Sequence, residues 1–268
     1  MSGAAVPRPA VRTPRVVLEL GGMVQLLGTA IYRAIRGPHT YAPEFVEQLR
    51  FGLRIAVVPL IITSFALSFG PAGIQAVNFL GLLGALDRLG GLYVIIVIRL
   101  FAPFVTAIVV AGVIGTAIAA DLGARKVREE TDALEVLGID PIRELVVPRL
   151  LALIVVCVLL DIFALLAGVV GAIMVVIQNQ APLGPFFATF FSSATPLEVF
   201  GSLIKSAMFG TMIAVVCCYK GMTASGGAEG VGRAVNQAVV IAFLAIGAID
   251  YAFTQFLLAT NPILSEVR

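Results

Sequence analysis

Apolar residues along this chain gather into five long runs, at about 51–78, 92–120, 150–177, 197–219 and 238–259. Crossing ~30 Å of hydrocarbon takes about 20 apolar residues in a helix, and each run is long enough. The runs are continuous and do not alternate, which predicts α-helical spans and argues against a β-barrel. Pro59 lies inside the first run, and Arg99 and Pro103 lie in the first half of the second. Before the runs, Arg15 to Arg36 has a helical pattern interrupted by Glu19, Gln25 and several glycines. Such a segment predicts an amphipathic interfacial helix over 15–37, with a short span as the competing reading. Gly37, Pro38 and Pro43 then break the chain, and residues 1–14 form a polar, Pro- and Arg-containing tail predicted to be disordered on the cytoplasmic side. Between the runs lie a connection at 79–91, a polar Pro-rich link "QNQAPLGPFFATFFSSATP", and a loop "KGMTASGGAEGVGRAVNQ".

One stretch departs from this pattern. Of the chain's 16 acidic residues, seven (Asp121, Glu129, Glu130, Asp132, Glu135, Asp140 and Glu144) fall between the second and third runs. Glu129 to Leu137 is rich in helix formers, with apolar residues at Leu134 and Leu137. Gly138 suits a helix C-cap, and Asp140 followed by Pro141 reads as the N-cap and first residue of the next helix. The stretch therefore predicts a short helix set off by a sharp turn on each side. It could be a solvated loop. The geometry of the turns favours a helix pressed into another protein's groove.

Composition and charge narrow the class. Hydrophobic residues make up 59%, the mean hydropathy is +1.03, and only 13% of residues are charged. Soluble domains carry about 25% charged residues, so this composition excludes them. The net charge of +2 says little; the distribution of Lys and Arg says more. Arg8, Arg12, Arg15, Arg33, Arg36, Arg50 and Arg54 precede or open the first run, and Arg125, Lys126, Arg128, Arg143 and Arg149 fall around the acidic stretch. Lys220 and Arg233 flank the Gly-rich loop, whereas the 178–198 link has no basic residue. By the positive-inside rule these basic segments face the cytoplasm of a multi-pass cytoplasmic (inner) membrane protein, with the N-terminus inside and the C-terminus outside. The sequence has no tryptophan, so interfacial anchoring falls to Tyr, Phe, Lys and Arg. No small-residue cleavage site follows the first apolar segment, so no removable signal peptide is expected.

Candidate chemistry is sparse. Cys157, Cys217 and Cys218 lie inside apolar runs with no metal-ligand spacing, and His39 stands alone. No Ser/His/Asp or Cys/His constellation is available, so neither catalysis, nor a bound metal or cofactor, nor a nucleic-acid partner is expected. The glycines of "SGGAEGVG" (Gly226, Gly227, Gly230, Gly232) lack the Lys-Ser/Thr and preceding strand of a phosphate loop, and read as a tight turn permitting close packing. Small residues at Gly112, Gly115, Gly168 and Gly171 allow close helix approach. Four ionisable residues lie at membrane depth: Arg99, Lys205 and Asp250 about 12–15 Å from the outer face, and Asp161 nearer the inner half and so a weaker partner. Charges there must pair or face a polar cavity. They either pin helix to helix or take part in a conformational change.

The acidic stretch "EETDALEVLGIDP", with "AGVIGTAIAADLGARKV" before it and "VVPRLLA" after it, resembles the MlaE/YrbE family of ABC-transporter permeases. The segment "LIKSAMFG…CYKGMTASGGAEGVGRAVNQAVV" is similar to that family's C-terminal half. The resemblance covers roughly residues 15–260 and implies a permease domain over 50–260, of the Mce-type lipid transport systems in the style of actinobacterial YrbE. It implies that Glu129, Glu130, Asp132, Ala133 and Leu134 form a coupling helix on a cytoplasmic ABC ATPase dimer, with the acids orienting against a basic groove and Leu134 as apolar anchor. No G-x-x-x-x-G-K-[ST] is present, so ATP and Mg²⁺ would be bound by the ATPase and not by this chain. It further implies a second permease, Mce proteins on the outer side, and a fatty acid, sterol or similar lipid as substrate. Many members have Arg-Glu-Leu-Gly-Pro where this chain has Arg99-Leu100-Phe101-Ala102-Pro103, and Gly-Arg-Val-Gly where it has Gly112-Val113-Ile114-Gly115. On that comparison the intramembrane charge network is incomplete here, which points to a heterodimer with a paralogous permease.

Two rivals come from other classes. An ion- or proton-coupled secondary transporter would use Arg99, Lys205 and Asp250, and a membrane scaffold would transport nothing. Neither needs a charged docking helix between the second and third spans.

Overall fold

The computed structural model of the protein describes residues 15–36 and 41–260. The expected tail at 1–14, and Gly37, Pro38 and His39, lie outside the described residues. Among the described residues there are eight helical elements and no strand. They are α1 (Arg15–Ile35), α2 (Ala42–Leu82), α3 (Leu86–Val127), α4 (Glu130–Val136), α5 (Ile142–Gln178), α6 (Leu183–Ser193), α7 (Pro196–Met222) and α8 (Gly227–Thr260). Five of these, α2, α3, α5, α7 and α8, are long and apolar enough to cross a membrane.

The helices overrun the apolar segments that predict them, because their polar first turns remain helical. α2 begins at Ala42, with Pro43 in its first turn, where the missing N–H has no intrahelical partner to lose. The Gly-rich segment shrinks to a short turn at 223–226, and α8 begins at Gly227. The 178–198 link contains a helix that composition alone does not reveal: α6 packs Phe186 and Phe190 against Tyr93 and Leu89, forming a separate apolar cluster at that end of the bundle. A Cβ on Gly90 would lie 2.0 Å from the Phe186 carbonyl oxygen, so only glycine lets α3 meet α6 so closely.

α3, α5 and α7 form the inner layer, each about half-buried, while α2 and α8 flank it and leave wide apolar faces outward. The main core runs through Leu60, Ile114, Leu122, Leu153, Leu160, Phe209 and Ile213. Of the small residues on the helices, Gly168 faces Val97, Gly115 faces Cys217 and Ile213, and Gly171 faces the backbone of α2 at Phe65 and Phe69. Gly112 faces open space and makes no close approach.

α1 lies across one end of the bundle. Glu19 pairs with Lys220 near the end of α7 at 2.7 Å, and Arg33 with Asp140 just before α5 at 2.5 Å. Arg143 donates to the Arg36 carbonyl at 3.2 Å. Glu19 and Arg33 are about 21 Å apart along the helix, yet both partners belong to the same end of the bundle, the end that carries α4. α1 is not among the helices long and apolar enough to cross a membrane. Basic side chains gather at this end, including Arg33, Arg36, Arg125, Lys126, Arg128, Arg143, Arg149, Lys220 and Arg233, while the α2–α3 turn at the opposite end has only Arg88.

The glycine contacts set up a direct comparison. Gly171→Ala pushes a methyl to 3.0 Å from α2 backbone and lowers stability by about 1–3 kcal/mol. Gly112→Ala is neutral or stabilises by up to about 1 kcal/mol through helix propensity. Thermal unfolding in detergent, followed by size-exclusion recovery, reads both; equal behaviour of the two variants contradicts the close α2–α5 approach.

Candidate functional site

The acidic stretch builds a projecting helical turn. After α3 ends, Glu129 adopts a left-handed conformation (φ 59°), unusual for a residue with a side chain, and reverses the chain into α4. At the far end Gly138 is also left-handed (φ 76°). Its N–H donates to the Glu135 carbonyl at 3.0 Å, and that of Ile139 donates to the Leu134 carbonyl at 2.9 Å, the paired closure of a Schellman motif. Asp140 then caps α5, accepting from the Ile142 N–H at 3.1 Å, with Pro141 between them.

The side chains of α4 divide into inward and outward sets. Thr131 is buried and Leu134 is half-buried against the main core. Leu134, expected as the apolar anchor, is thus partly taken up by this chain's own packing. The apolar side chains that project are Val136 and Leu137, 88% and 73% exposed. Sequence reasoning placed Leu137 in the apolar pattern of the helix and missed Val136. The acids divide in the same way. Asp132 pairs with Lys126 at 2.6 Å, and Glu130 with Arg128 at 2.8 Å and Arg125 at 4.0 Å. Hydrogen bonding from Lys126 holds the Asp132 carboxyl below the usual carboxylate range, against a smaller opposing effect of desolvation. That contribution is fully present above the ordinary carboxylate pKa and is lost only as pH falls through the lowered value. Glu129 and Glu135 are exposed and have no cation within ion-pair distance among the described residues. Ala133 is exposed beside them.

The Gly-rich turn packs beside the end of α3. Gly226 and Gly227 take positive φ (90° and 69°), and a Cβ on Gly230 would lie 1.8 Å from the Ser225 carbonyl oxygen. Gly232 faces open space inside α8 and contributes nothing to the turn. A polar cavity of about 310 Å³ beside the turn is lined by Glu19, Lys220, Arg233 and Gln237, with Lys220 held by Glu19 and, at 3.2 Å, Gln237.

A second polar arrangement lies within the spans, along one face of α7. Glu198, Ser202 and Lys205 stand at i, i+4 and i+7, a single stripe. Glu198 pairs with Arg99 of α3, Ser202 donates to Asp161 of α5 at 2.7 Å, and Lys205 pairs with Asp250 of α8 at 2.6 Å. Lys205 also donates to the Arg99 carbonyl at 3.1 Å and the Thr254 hydroxyl at 3.2 Å. Pro103 lacks an N–H, so it cannot donate to the Arg99 carbonyl four residues back, and the ammonium takes that place. Asp161 makes no ion pair within 4 Å among the described residues, and its link to the stripe is Ser202. The acid missing beside Arg99 in sequence is supplied by Glu198, whose side chain is only 3% exposed. Arg99 therefore has an acid within this chain, while Gly112-Val113-Ile114-Gly115 still lacks the arginine of the family pattern. Glu198 was legible as an acid seven residues before Lys205. Among the described residues no three His, Cys, Asp or Glu side chains are placed to hold a metal ion.

Comparison with known proteins matches residues 45–256 to a family model described as "Permease MlaE". The chain is 33% identical over 236 residues to "Protein TRIGALACTOSYLDIACYLGLYCEROL 1, chloroplastic" of Arabidopsis thaliana, covering 86% of this chain and 66% of that protein. It is 39% identical over 164 residues to a probable ABC transporter permease protein of Synechocystis, covering 61% and 62%. It is 29% identical over 235 residues to another of Rickettsia prowazekii, covering 87% and 90%. The chain thus spans just under two thirds of the length of the first two relatives.

The stripe on α7 yields a stability test. Lys205→Met leaves Asp250 without its cation and destabilises the bundle by about 3–5 kcal/mol, as expected for breaking a buried pair. Adding Asp250→Leu recovers most of the loss, because an apolar pair of similar volume removes both charges. Thermal unfolding in detergent of the single and double variants measures this, and a double variant no better than the single contradicts a direct pair.

Proposed function

The chain belongs to the MlaE permease family, and on that footing we propose that it is the membrane-spanning subunit of an ABC-type lipid transporter, driven by ATP hydrolysis on a separate cytoplasmic ATPase dimer. The observation that carries the proposal is α4: a seven-residue helix fixed by a sharp turn at each end, offering an apolar tip beside two exposed acids. An apolar anchor in a groove supplies affinity, and complementary charge around it supplies orientation and on-rate. Val136 and Leu137 take the anchor role, and Glu129 and Glu135 face the basic rim. Glu130, Asp132 and their basic partners hold α4 on the end of α3.

The concentration of Lys and Arg at the α4 end supports a cytoplasmic position for α1, α4 and the α7–α8 turn in a cytoplasmic membrane, with the end of α8 outside. α1 then lies along the inner interface, its outward face rich in Val, Leu and Ile. The wide apolar faces of α2 and α8 leave room for a second permease subunit, with a hydrophobic substrate such as a fatty acid or sterol between the two. Because Glu198 completes the Arg99 pair within the chain, that subunit need not be a paralogue to balance charge. Mce proteins on the outer side complete the proposed pathway. The chain itself holds no nucleotide and performs no chemistry in this scheme.

Affinity purification of the tagged chain in mild detergent, with mass spectrometry of the bound chains, tests the proposal. Wild type brings down an ATPase, a permease partner and Mce proteins. Val136→Asp/Leu137→Asp and Glu129→Lys/Glu135→Lys each reduce ATPase recovery tenfold or more, an expectation from the ~1.4 kcal/mol that a tenfold change in affinity represents, while the other chains remain. A wild-type preparation without any ATPase rejects the reading and returns the intramembrane charges to consideration as an ion-coupled device.

A further inference from the structure

Arg149 is the largest fully buried side chain among the described residues, at 1% exposure, and the docking reading gives it no task. It lies on α5, nine residues after the Asp140 cap, and its guanidinium reaches three elements. Nη1 donates to the Leu145 carbonyl at 2.7 Å within its own helix. Nη2 donates to Asp121 of α3 at 2.7 Å and lies 3.6 Å from Glu44 in the first turn of α2. Arg125 also donates to Asp121, at 3.2 Å to each oxygen.

The two acids are held differently. The Asp121 bond closes a 28-residue stretch containing the end of α3, all of α4 and the start of α5. A charge-assisted bond across its base makes that hairpin move as one piece. Glu44 lies beyond hydrogen-bond distance but within ion-pair reach, so a displacement of under about 1 Å converts the contact into a bond. Both acids line an open polar cavity of about 400 Å³ together with Glu47, Gln48 and Arg125. The cavity lies between the first turns of α2, the end of α3 and Arg149 of α5. A guanidinium carries five donors in a fixed plane and can serve both acids or exchange between them.

We propose that Arg149 is a positioning residue through which movement of the α3–α4–α5 hairpin reaches α2. The inference rests on the docking of α4 to an ATPase. When the hairpin is displaced, Arg149 travels with Asp121 and changes its distance to Glu44, so the first span responds to an event at α4 that it does not touch.

The test uses the assembled transporter in nanodiscs, with single cysteines at Glu47→Cys on α2 and Ala117→Cys on α3, both lining the cavity. A water-soluble maleimide reports their labelling rates in nucleotide-free and vanadate-trapped states. In the otherwise wild-type complex both rates change on trapping. In Glu44→Gln, which leaves the Arg149–Asp121 bond in place, the change at position 47 is lost while that at 117 and ATP turnover persist, and Glu44→Asp restores it. A change at position 47 that survives Glu44→Gln overturns the proposal, as does a position 47 that never responds. Failure of Glu44→Gln to assemble makes the trio a folding element and also overturns it. If even wild type assembles with no ATPase, the docking reading itself fails and this inference falls with it.

Discussion

An ammonium group inside a helix bundle must find three acceptors, and the placement of Lys205 follows from that requirement. Its three donors meet Asp250 and Thr254 of α8 and the Arg99 carbonyl of α3. The carbonyl is available because Pro103 cannot use it, so a helix-breaking residue on one span creates the acceptor for a charge on another. With Glu198 on Arg99 and Ser202 on Asp161, one face of α7 links α3, α5 and α8. Leaving any of these groups unpaired at this depth costs several kcal/mol, so the stripe fixes the register of the inner helices more stringently than apolar contact can. Apolar packing tolerates sliding; a satisfied ammonium does not.

The two ends of the bundle are built from different materials. At the α6 end, Tyr93, Phe186 and Phe190 interlock around a glycine contact. At the α4 end, α1 is attached through Glu19–Lys220 and Arg33–Asp140, α4 through Lys126–Asp132 and Arg128–Glu130, and α2 approaches across an open polar cavity. Close-packed aromatic contacts are bistable at best and resist small displacements. Exposed ion pairs are individually worth about 0–1 kcal/mol and can exchange partners. The end assembled from charges is therefore the end with more freedom to change shape, and it is the end on which α4 projects.

Much of this was legible in the order of residues. Five continuous apolar runs specify five spanning helices, since only helices and closed barrels satisfy the backbone there and the runs do not alternate. Gly138 and Asp140–Pro141 specify the exit from α4 because left-handed and capping positions have strong residue preferences. Less legible was anything decided by which way a side chain turns. Leu134 lies within α4 and Leu137 just past its end, three residues apart, yet one packs partly inward and the other projects. α6 escaped notice because a Pro-bounded helix of eleven residues, with four phenylalanines, reads as a link until its aromatic partners on α3 are known. The reach of α8 into the Gly-rich segment rests on a local fold-back, the close approach of Gly230 to the Ser225 carbonyl.

Glu198 shows how a charge can be moved in sequence while its partner stays in place. An acid immediately after Arg99 would point to a different side of α3, because neighbours at i and i+1 do not face each other on a helix. Such an acid can balance the charge of Arg99 only by reaching around its own helix or toward another subunit. An acid in the first turn of α7 meets the guanidinium from across the helix interface and turns charge balance into a tie between two spans. Arg99 then joins α7 twice, through its side chain to Glu198 and through its carbonyl to Lys205, seven residues and about 10 Å further along the helix. Two attachments from one residue of α3 to separate turns of α7 fix the register and separation of the two helices at that point. Rotation between these spans is thereby opposed within the subunit, and with α8 held by Lys205 through Asp250 and Thr254, α2 is the span that the stripe does not reach.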